Sequence, residues 1–336
     1  MAILITGAAG FVALNIVEHL LAAGRTVVGL DRIALPERAR REFARLPGRF
    51  TLIGGSILSQ ADLRRAMTIA PVDAVIHCAV ITAGAVREKA DPETIVSVNI
   101  QGAVAALMTA ARLRAKTFIY PSSGSIYGTA ARDVALIDED ALHPAPMALY
   151  GLTKRAAETI LPRIAQTQGI RFAAARLGSV YGPWEYATGV RDTLSPMLQV
   201  LQCAMRGDQA VLGPVWRGDY IYARDVADGL VRLIDAPSLS RTVYNLGSGQ
   251  SGSTELWCQE IARRVPQFRW RQAPADEAGN VDSHTGFHRG PMDITKVASD
   301  TGYAPRFDFA TAAADWLTWL KAGSEANALT QPNHSP

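Results

Sequence analysis

The chain has 336 residues, enough for one large domain or two modest ones, and its composition of 48% hydrophobic and 19% charged residues is typical of a globular protein. Its net charge of +3 is too small to indicate a nucleic-acid partner. The three cysteines lie far apart, which excludes a disulfide framework and zinc-ligand spacing and favours a reducing cytoplasm. We also find no signal-peptide pattern and expect no membrane-spanning run.

Short β-branched runs alternate with helical patterns through the first half of the chain. The predicted strands are "AILIT", "TVVGLD", "TLIGG", "DAVIHCA" and "TFIYPSS". The helical patterns cover about residues 11–23, 37–46, 59–70 and 92–114. Ser59 is the expected N-cap of the third, with Asp62 at its third helical position, and Pro92 opens the fourth. This alternation predicts an α/β fold with a parallel sheet covered on both faces.

The second half of the chain has a looser pattern. After about residue 178, the Gly/Pro-rich connectors "YGPWEYATG", "LGPVWRGD" and "NLGSGQSGS" separate shorter elements. We predict a sheet domain at 1–178 and a smaller, mainly substrate-binding lobe at 179–321, with some segments returning to the sheet domain. Residues 322–336 are small, polar and aperiodic, which indicates a flexible tail.

A glycine pair lies in "ITGAAGFVA", where the first strand turns into the first helix. Gly7 permits a tight turn, and Gly10 lets the backbone approach a pyrophosphate at the helix N-terminus. Asp31 ends the second strand, 21 residues after Gly10, where a carboxylate can accept the ribose hydroxyls of NAD. A merely structural turn is the alternative, but the strand, helix and acid together favour a dinucleotide.

Arginines near Asp31 leave NADP open as the cofactor. Arg32 follows directly, and the next helix, "ERARREFARLPGR", carries several more. An arginine near the ribose can pair with a 2′-phosphate, whereas a solvated helix face explains the same residues without a ligand. Because Asp31 would repel that phosphate, we favour NAD.

A tyrosine and a lysine stand four residues apart in "ALYGLTKRAAE". At this spacing Tyr150 and Lys154 share one helix face. A free phenol has a pKa near ~10, too high for a base at neutral pH, and a neighbouring ammonium lowers it. The pair is either an ordinary surface pair or a proton-transfer device, and the surface pair is the commoner case.

Several motifs occur in the order found in one enzyme family. They are "TGAAGF", "VIHCA", "VNIQG", "PSSGSIYG", "YGLTK", "RLGSVYGP", "DYIYARDVA" and "YNLGSG", and they cover about residues 2–320. By this ordered set the chain resembles the extended short-chain dehydrogenase/reductase family, the NAD-dependent epimerase and dehydratase group. The resemblance implies a Rossmann-type doubly wound parallel sheet with a smaller mixed C-terminal substrate lobe.

The resemblance also implies a catalytic set. Tyr150 takes the proton of a substrate hydroxyl while NAD takes the hydride, Lys154 holds the nicotinamide ribose, and Ser123 positions the reacting oxygen. This favours the catalytic interpretation of the tyrosine–lysine pair. The implied cofactor-binding residues are Gly7, Ala9, Gly10, Phe11, Val12, Asp31, Arg32, Ser56, Ile57, Cys78, Ala79 and Asn99, together with Tyr150 and Lys154.

The family resemblance further implies a homodimer. Relatives pair two helices across a two-fold axis, which here are the helices at 93–112 and 149–167. Their apolar residues exceed what one sheet face needs, for example Val104, Leu107, Met108 and Ala111.

Candidate substrate-binding residues follow from the loop "PWEYATGVRD" and from family positions. An aromatic platform with polar groups suits a hydroxylated ligand, and an ordinary exposed loop is the alternative. The candidates are Ser123, Ser125, Ser179, Trp184, Arg191, Arg217 and Arg289.

Three departures from the family bear on the ligands. Ser179 replaces an asparagine of the nucleotide-sugar enzymes, and their diphosphate-binding arginine before "DY" is displaced to Arg217. Ser56 replaces an adenine-contacting aspartate, which affects only the cofactor. A diphosphate needs fixed cationic donors, so we expect a dehydrogenase of a small sugar, sugar acid or similar hydroxy compound. A nucleotide-sugar 4-epimerase or dehydratase with retained NAD is the alternative, and a non-catalytic NAD-binding regulator is disfavoured by the intact catalytic set.

Histidine and cysteine side chains give no metal or nucleophile prediction. His77 lies in an apolar strand and is expected to be buried and hydrogen-bonded, and Cys78 is expected to be a small core residue. His284 and His288 are four residues apart, but a glycine lies between them and no third ligand is evident, so we predict no metal site.

Overall fold

A computed structural model of the chain describes residues 1–189, 191–274, 276–282 and 286–322. The strands, in chain order, are β1 Ala2–Thr6, β2 Thr26–Asp31, β3 Arg49–Gly54, β4 Val72–His77, β5 Thr117–Ser123, β6 Arg171–Leu177, β7 Ser179–Tyr181, β8 Ala210–Leu212, β9 Arg217–Tyr222, β10 Val243–Leu246, β11 Ser251–Ser253 and β12 Trp270–Gln272. The α-helices are α1 Phe11–Ala22, α2 Glu37–Phe43, α3 Gln60–Thr68, α4 Ala85–Ala90, α5 Pro92–Val96, α6 Ala103–Arg112, α7 Leu149–Gln168, α8 Pro196–Arg206, α9 Ala223–Asp235, α10 Thr254–Arg264, α11 Thr295–Thr301 and α12 Phe309–Ala322.

Seven parallel strands form the central sheet, in the order β10-β6-β5-β4-β1-β2-β3. This confirms the predicted doubly wound α/β fold. Alternate residues of β1 enter opposite cores: Ile3 and Ile5 pack with α1 and α9, and Leu4 packs with α3, α6 and α7. The chain reverses its direction of travel between β1 and β4, and such a switch point opens a ligand crevice at the carboxyl ends of the strands.

The second half of the chain contributes to both parts of the molecule. Strand β10 joins the sheet beside β6, and α9 packs on α1. A three-stranded sheet, β11-β9-β7, and the pair β12-β8 lie outside the central sheet. The division at residue 178 and the lobe at 179–321 stay a prediction, as does the tail, since 323–336 lie outside the described residues and Ala322 ends α12.

A π-helical turn, Ser97–Gly102, joins α5 to α6 and interrupts the single long helix that the sequence predicts. Together these three pieces form a stretch, Pro92–Arg112, that is long and apolar enough to cross a bilayer by length and composition. The expectation that no such run exists is therefore corrected. In the fold this stretch packs against α3 and α7, as the core helix of a globular domain does.

A buried ion pair fastens α7 to the neighbouring strand β6. Arg176 Nη2 lies 2.7 Å from Glu158 Oε2, and Arg176 Nε donates to both carboxylate oxygens at 3.1 Å. The Glu158 side chain is fully buried and that of Arg176 is 4% exposed. Arg176 Nη1 also donates to the Tyr127 hydroxyl at 2.9 Å, which in turn donates to Asn245 Oδ1 at 2.6 Å. This network connects α7, β6, β10 and the turn after β5.

The helices predicted to form the dimer interface keep part of their apolar surface in contact with solvent. Leu152 on α7 is 50% exposed and Ile160 is 38% exposed. Val104, Met108 and Ala111 are half-buried, whereas Leu107 faces the core and is not interface surface. The homodimer remains a prediction: light scattering at micromolar concentration should give twice the chain mass of 36.0 kDa. A monomer mass would contradict the homodimer, and an unchanged dimer in a Leu152→Lys variant would contradict the assignment of its interface to these helices.

Candidate active site at the carboxyl edge of the sheet

The turn between β1 and α1 has the geometry that the glycine pattern predicts. Gly7 has φ +66°, and a Cβ there would lie 2.7 Å from Ala79 Cα. The N–H of Gly10, the residue before α1, donates to Gly7 O at 2.9 Å. No side chain caps α1, so its first N–H groups face the crevice as a site for an anion.

Asp31 lies beside this turn at the end of β2. Its Oδ2 accepts from Ala9 N at 2.9 Å and its Oδ1 from Ile33 N at 3.1 Å. Gly55 N donates to the backbone carbonyl of Asp31 at 2.8 Å, so Ser56 follows directly after a residue bound to the end of β2. A glycine cradle that a Cβ would fill, followed by a carboxylate at the ribose position, fits a dinucleotide.

The catalytic candidates line one cavity. Ser123, Tyr150 and Lys154 surround a space of about 220 Å³ beyond the end of β5. Lys154 is 3% exposed, and its Nζ donates to Pro121 O at 2.6 Å. Ser123 Oγ accepts from Ser125 N at 3.1 Å. The helical spacing of Tyr150 and Lys154 therefore does turn both side chains toward the crevice.

Burial changes the protonation of this pair. Burial lowers the pKa of Lys154 to about 8, and the charge of Glu158 opposes that change. Burial also raises the pKa of Tyr150, while hydrogen bonds with Ser123 and Thr82 and the charge of Arg191 oppose the rise. Without ligands the phenol is therefore protonated at neutral pH.

A second cavity, of about 160 Å³, shares Ser123, Leu177 and Gly178 with the first. Its other polar lining residues are Ser125, Ser179, Arg217, Asp219, Tyr220 and Arg289. Ser125 Oγ and Arg289 Nε are buried without a hydrogen-bond partner in the part of the chain that the structure describes. Burial lowers the pKa of the Arg289 guanidinium, and the nearby Tyr220 opposes that change. These unsatisfied donors fit an anionic, polar ligand.

Asp219 lines this cavity too, but it forms no ion pair with Arg217 or Arg289 in the part of the chain that the structure describes. Its carboxylate accepts from Ser248 N, Ser248 Oγ, Gly249 N and Met292 N at 2.7 to 3.0 Å. It therefore ties together the loops around the cavity. Arg217 N donates to His288 Nδ1 at 3.0 Å, and His284, the other histidine of the pair for which no metal site is predicted, lies outside the described residues.

The predicted cofactor residues divide into two groups. Gly7, Gly10, Phe11, Val12 and Cys78 line a third cavity of about 110 Å³ at the glycine turn. The other predicted residues lie around this cavity. Ala9 belongs to the glycine turn, and Ala79 lies against Gly7. Ser56 follows Gly55, which bonds the Asp31 backbone, Ile57 packs on Gly102, and Arg32 is exposed. Burial raises the pKa of the Cys78 thiol to about 12, in keeping with an unreactive core residue.

One predicted cofactor residue, Asn99, and one histidine, His77, have structural surroundings. Asn99 is buried and bonds Ile81 N, Ile81 O and Thr153 Oγ1, so it holds the segment after β4 against α7. His77 is buried, with Nδ1 at 2.9 Å from Thr6 Oγ1.

Trp184 requires a correction. It is 4% exposed, its ring lies 4.9 Å from that of Trp319, and its Nε1 donates to Glu18. It lines neither substrate cavity, and we assign it to core packing.

Thr82 and Tyr220 are site residues that the sequence analysis omits. Thr82 follows β4, lines the first cavity and hydrogen-bonds Tyr150. Its position just past a parallel strand was the available signal, because these strand ends border the crevice. Tyr220 sits in β9, and only the folded lobe brings it to Arg289.

Replacing Lys154 by methionine should stabilise the ligand-free protein. A folded-state pKa of about 8 against an unfolded value near ~10.4 means that the buried ammonium destabilises the fold by roughly 3 kcal/mol below pH 8. Loss of the bond to Pro121 O offsets about 1 kcal/mol. We expect the free energy of unfolding in urea at pH 7 to rise by about 1–2 kcal/mol, and this gain to shrink as the pH rises from 8 toward 10.5.

A Lys116→Met control removes an exposed lysine and should change the free energy of unfolding little. Equal stability of the Lys154→Met and natural proteins at pH 7 would contradict this account.

The chain is similar to known proteins in sequence and in fold. The model of the NAD-dependent epimerase/dehydratase family matches residues 3–247. UDP-glucose 4-epimerase 3 of Oryza sativa subsp. japonica is 26% identical, over 97% of this chain and 92% of its own. A probable UDP-glucuronate 4-epimerase of Rhizobium meliloti is 29% identical, over 95% and 96%. A crystal structure of UDP-glucose 4-epimerase from Thermotoga maritima has a TM-score of 0.79 at 21% identity, over 96% and 99%, and shows the shared fold. The chain belongs to the NAD-dependent epimerase/dehydratase family, whose members are enzymes of the short-chain dehydrogenase/reductase type.

Proposed function

We propose that the enzyme transfers hydride between NAD and a secondary hydroxyl of a nucleotide-diphosphate sugar, as an epimerase or dehydratase that retains its cofactor. The observation that carries this proposal is the second cavity. Arg217 and Arg289 line it, and neither has a carboxylate partner among the described residues. It adjoins Ser123, so an anion bound there leaves the attached sugar beside Tyr150.

This proposal reverses the preference drawn from the sequence. The displaced arginine before "DY" suggests that a diphosphate site is lost, hence a non-nucleotide sugar or sugar acid. In the fold, however, Arg217 begins β9 and still lines the cavity, and Arg289 N donates to Arg217 O at 2.9 Å. Two arginines that line one cavity suit two linked phosphates better than one carboxylate. The named UDP-sugar 4-epimerases support the same choice.

The residues around the first cavity support an acid–base role for Tyr150. When bound, NAD supplies the acceptor for the hydride of the carbinol carbon. The Tyr150 oxygen is the group that would take the hydroxyl proton, and Ser123 would hold the reacting oxygen by a hydrogen bond. The buried Lys154 ammonium favours the phenolate of Tyr150, whose ring centroid lies 5.9 Å from Nζ. An NAD-binding regulator would need none of these groups.

Tyr150→Phe tests the proton-transfer role. We expect turnover to fall by at least about a hundredfold, because the proton acceptor is lost, while NAD affinity measured by calorimetry persists. Tyr120→Phe is a matched control: it removes a buried hydroxyl that has no partner among the described residues, and should leave turnover near normal. Near-normal turnover of Tyr150→Phe would exclude the role.

The substrate class is tested by a thermal-shift screen of UDP- and dTDP-sugars, run beside a screen for NADH formation with free sugars, aldonic acids and uronic acids. We expect a nucleotide sugar to stabilise the protein, and nicotinamide absorbance to survive purification. Arg289→Met should remove that stabilisation, whereas Arg206→Met, which changes an arginine 55% exposed on α8, should not. NADH from a free sugar or acid, with no effect of any nucleotide sugar, would overturn the proposal in favour of a dehydrogenase.

A further inference from the structure

Arg191 occupies a different place from the other predicted substrate residues. It lines the glycine-turn cavity together with Gly7, Gly10 and Thr188, and it lines the Tyr150 cavity. It does not line the cavity of Arg217 and Arg289. Within the described residues, it is the one charged side chain that lines the glycine-turn cavity.

The guanidinium of Arg191 is held in a fixed position. Nη2 lies 2.8 Å from Glu185 Oε1, and Nε donates to Thr193 O at 2.9 Å. Its carbon Cζ lies 4.8 Å from the ring centroid of Phe11, the first residue of α1. Glu185 is 1% exposed and accepts from Ser195 N and Oγ. Nη1 has no hydrogen-bond partner among the described residues, so it remains available to a ligand.

The path of a dinucleotide through the crevice passes this group. Asp31 marks the ribose at one end, and Tyr150 with Lys154 marks the nicotinamide at the other. The pyrophosphate between them must cross the turn of Gly7 and Gly10, which is the cavity that Arg191 lines. The N-terminus of α1 supplies N–H donors there but only a partial positive charge.

We propose that Arg191 is a cofactor-binding residue that pairs with the pyrophosphate of NAD, and is not a substrate-binding residue. Two negative charges then meet a preorganised guanidinium on one side and the α1 N-terminus on the other. Because Arg191 stacks on Phe11, the first residue of α1, its guanidinium lies at the same end of α1 as the helix's free N–H groups. The inference rests on the NAD requirement of the family and not on the identity of the sugar, so it can fail while the proposed function stands.

The segment that carries Arg191 is also fastened to the loop after β4. Asp192 accepts from Gly84 N at 2.9 Å and from Arg87 Nε and Nη2 at 2.8 to 2.9 Å. Thr82 and Arg191 form an isolated backbone bridge. A variant of Arg87 therefore loosens this attachment but keeps the Arg191 guanidinium. Comparing it with a variant of Arg191 distinguishes the effect of the Arg191 charge from the effect of the position of the loop.

The test is calorimetry on the full chain freed of nucleotide, with ADP-ribose, which carries the pyrophosphate, and adenosine, which does not. Arg191→Met should weaken ADP-ribose binding roughly 10- to 100-fold, as loss of a charged hydrogen bond does, and leave adenosine affinity unchanged. Arg191→Lys should lose less, because the charge stays. The slope of log Kd against log salt for ADP-ribose should also decrease in Arg191→Met.

Two controls distinguish loss of the Arg191 charge from the effects of an unpaired Glu185 carboxylate and of a loosened loop. Arg191→Met leaves Glu185 without its arginine, so the double variant Arg191→Met/Glu185→Gln serves if the single variant fails to fold. Arg87→Met should change ADP-ribose affinity less than Arg191→Met. Unchanged ADP-ribose affinity in the foldable Arg191 variant would overturn the proposal. So would an equal loss in Arg87→Met, or a loss confined to substrate binding by the NAD-loaded enzyme.

Discussion

The ion pair between Glu158 and Arg176 fixes the helix on which the candidate chemistry depends. Tyr150, Lys154 and Glu158 follow one another at intervals of four along α7, so they share its inward face. The pair binds that face to β6, and Arg176 extends the attachment through Tyr127. Removing one partner of a buried pair typically costs about 3–5 kcal/mol, because the other charge is left without compensation. The two reactive side chains therefore project from an element with little freedom to slide or rotate.

The same helix face carries one compensated charge and one that is not. Glu158 has Arg176, whereas among the described residues Lys154 contacts a carbonyl oxygen and the faces of two tyrosine rings but no carboxylate within ion-pair distance. A lone buried ammonium destabilises a fold, and a structural lysine would be expected to have a carboxylate. Its retention here is understandable if ligands complete the site, which is the usual relation between stability and function in active sites.

Features set by local chemistry could be predicted from the sequence. Gly7 adopts the positive φ that its turn requires, Ser59 caps α3 through Asp62 N, and Pro92 stands at the first position of α5. Features set by distant packing could not. The burial of Trp184 depends on Trp319, 135 residues further along the chain. Arg217 shows the same limit, because its displacement is visible in the sequence but its return to the cavity is a property of the folded lobe.

The three cavities share lining residues along the crevice, and each is lined by at least one cationic side chain. Arg191 lies at the glycine turn, Lys154 beneath Tyr150, and Arg289 at the far end. Under the proposals made above, the outer two cations receive the diphosphates of cofactor and substrate, whose uncharged reacting parts then meet between them. Anions bound at both ends would raise the pKa of Tyr150, since negative charge disfavours a phenolate. Lys154 Nζ lies 5.9 Å from the Tyr150 ring centroid, and excluding water strengthens its effect on the phenol. Because Lys154 has no carboxylate within ion-pair distance among the described residues, its charge stays available to favour the phenolate of Tyr150.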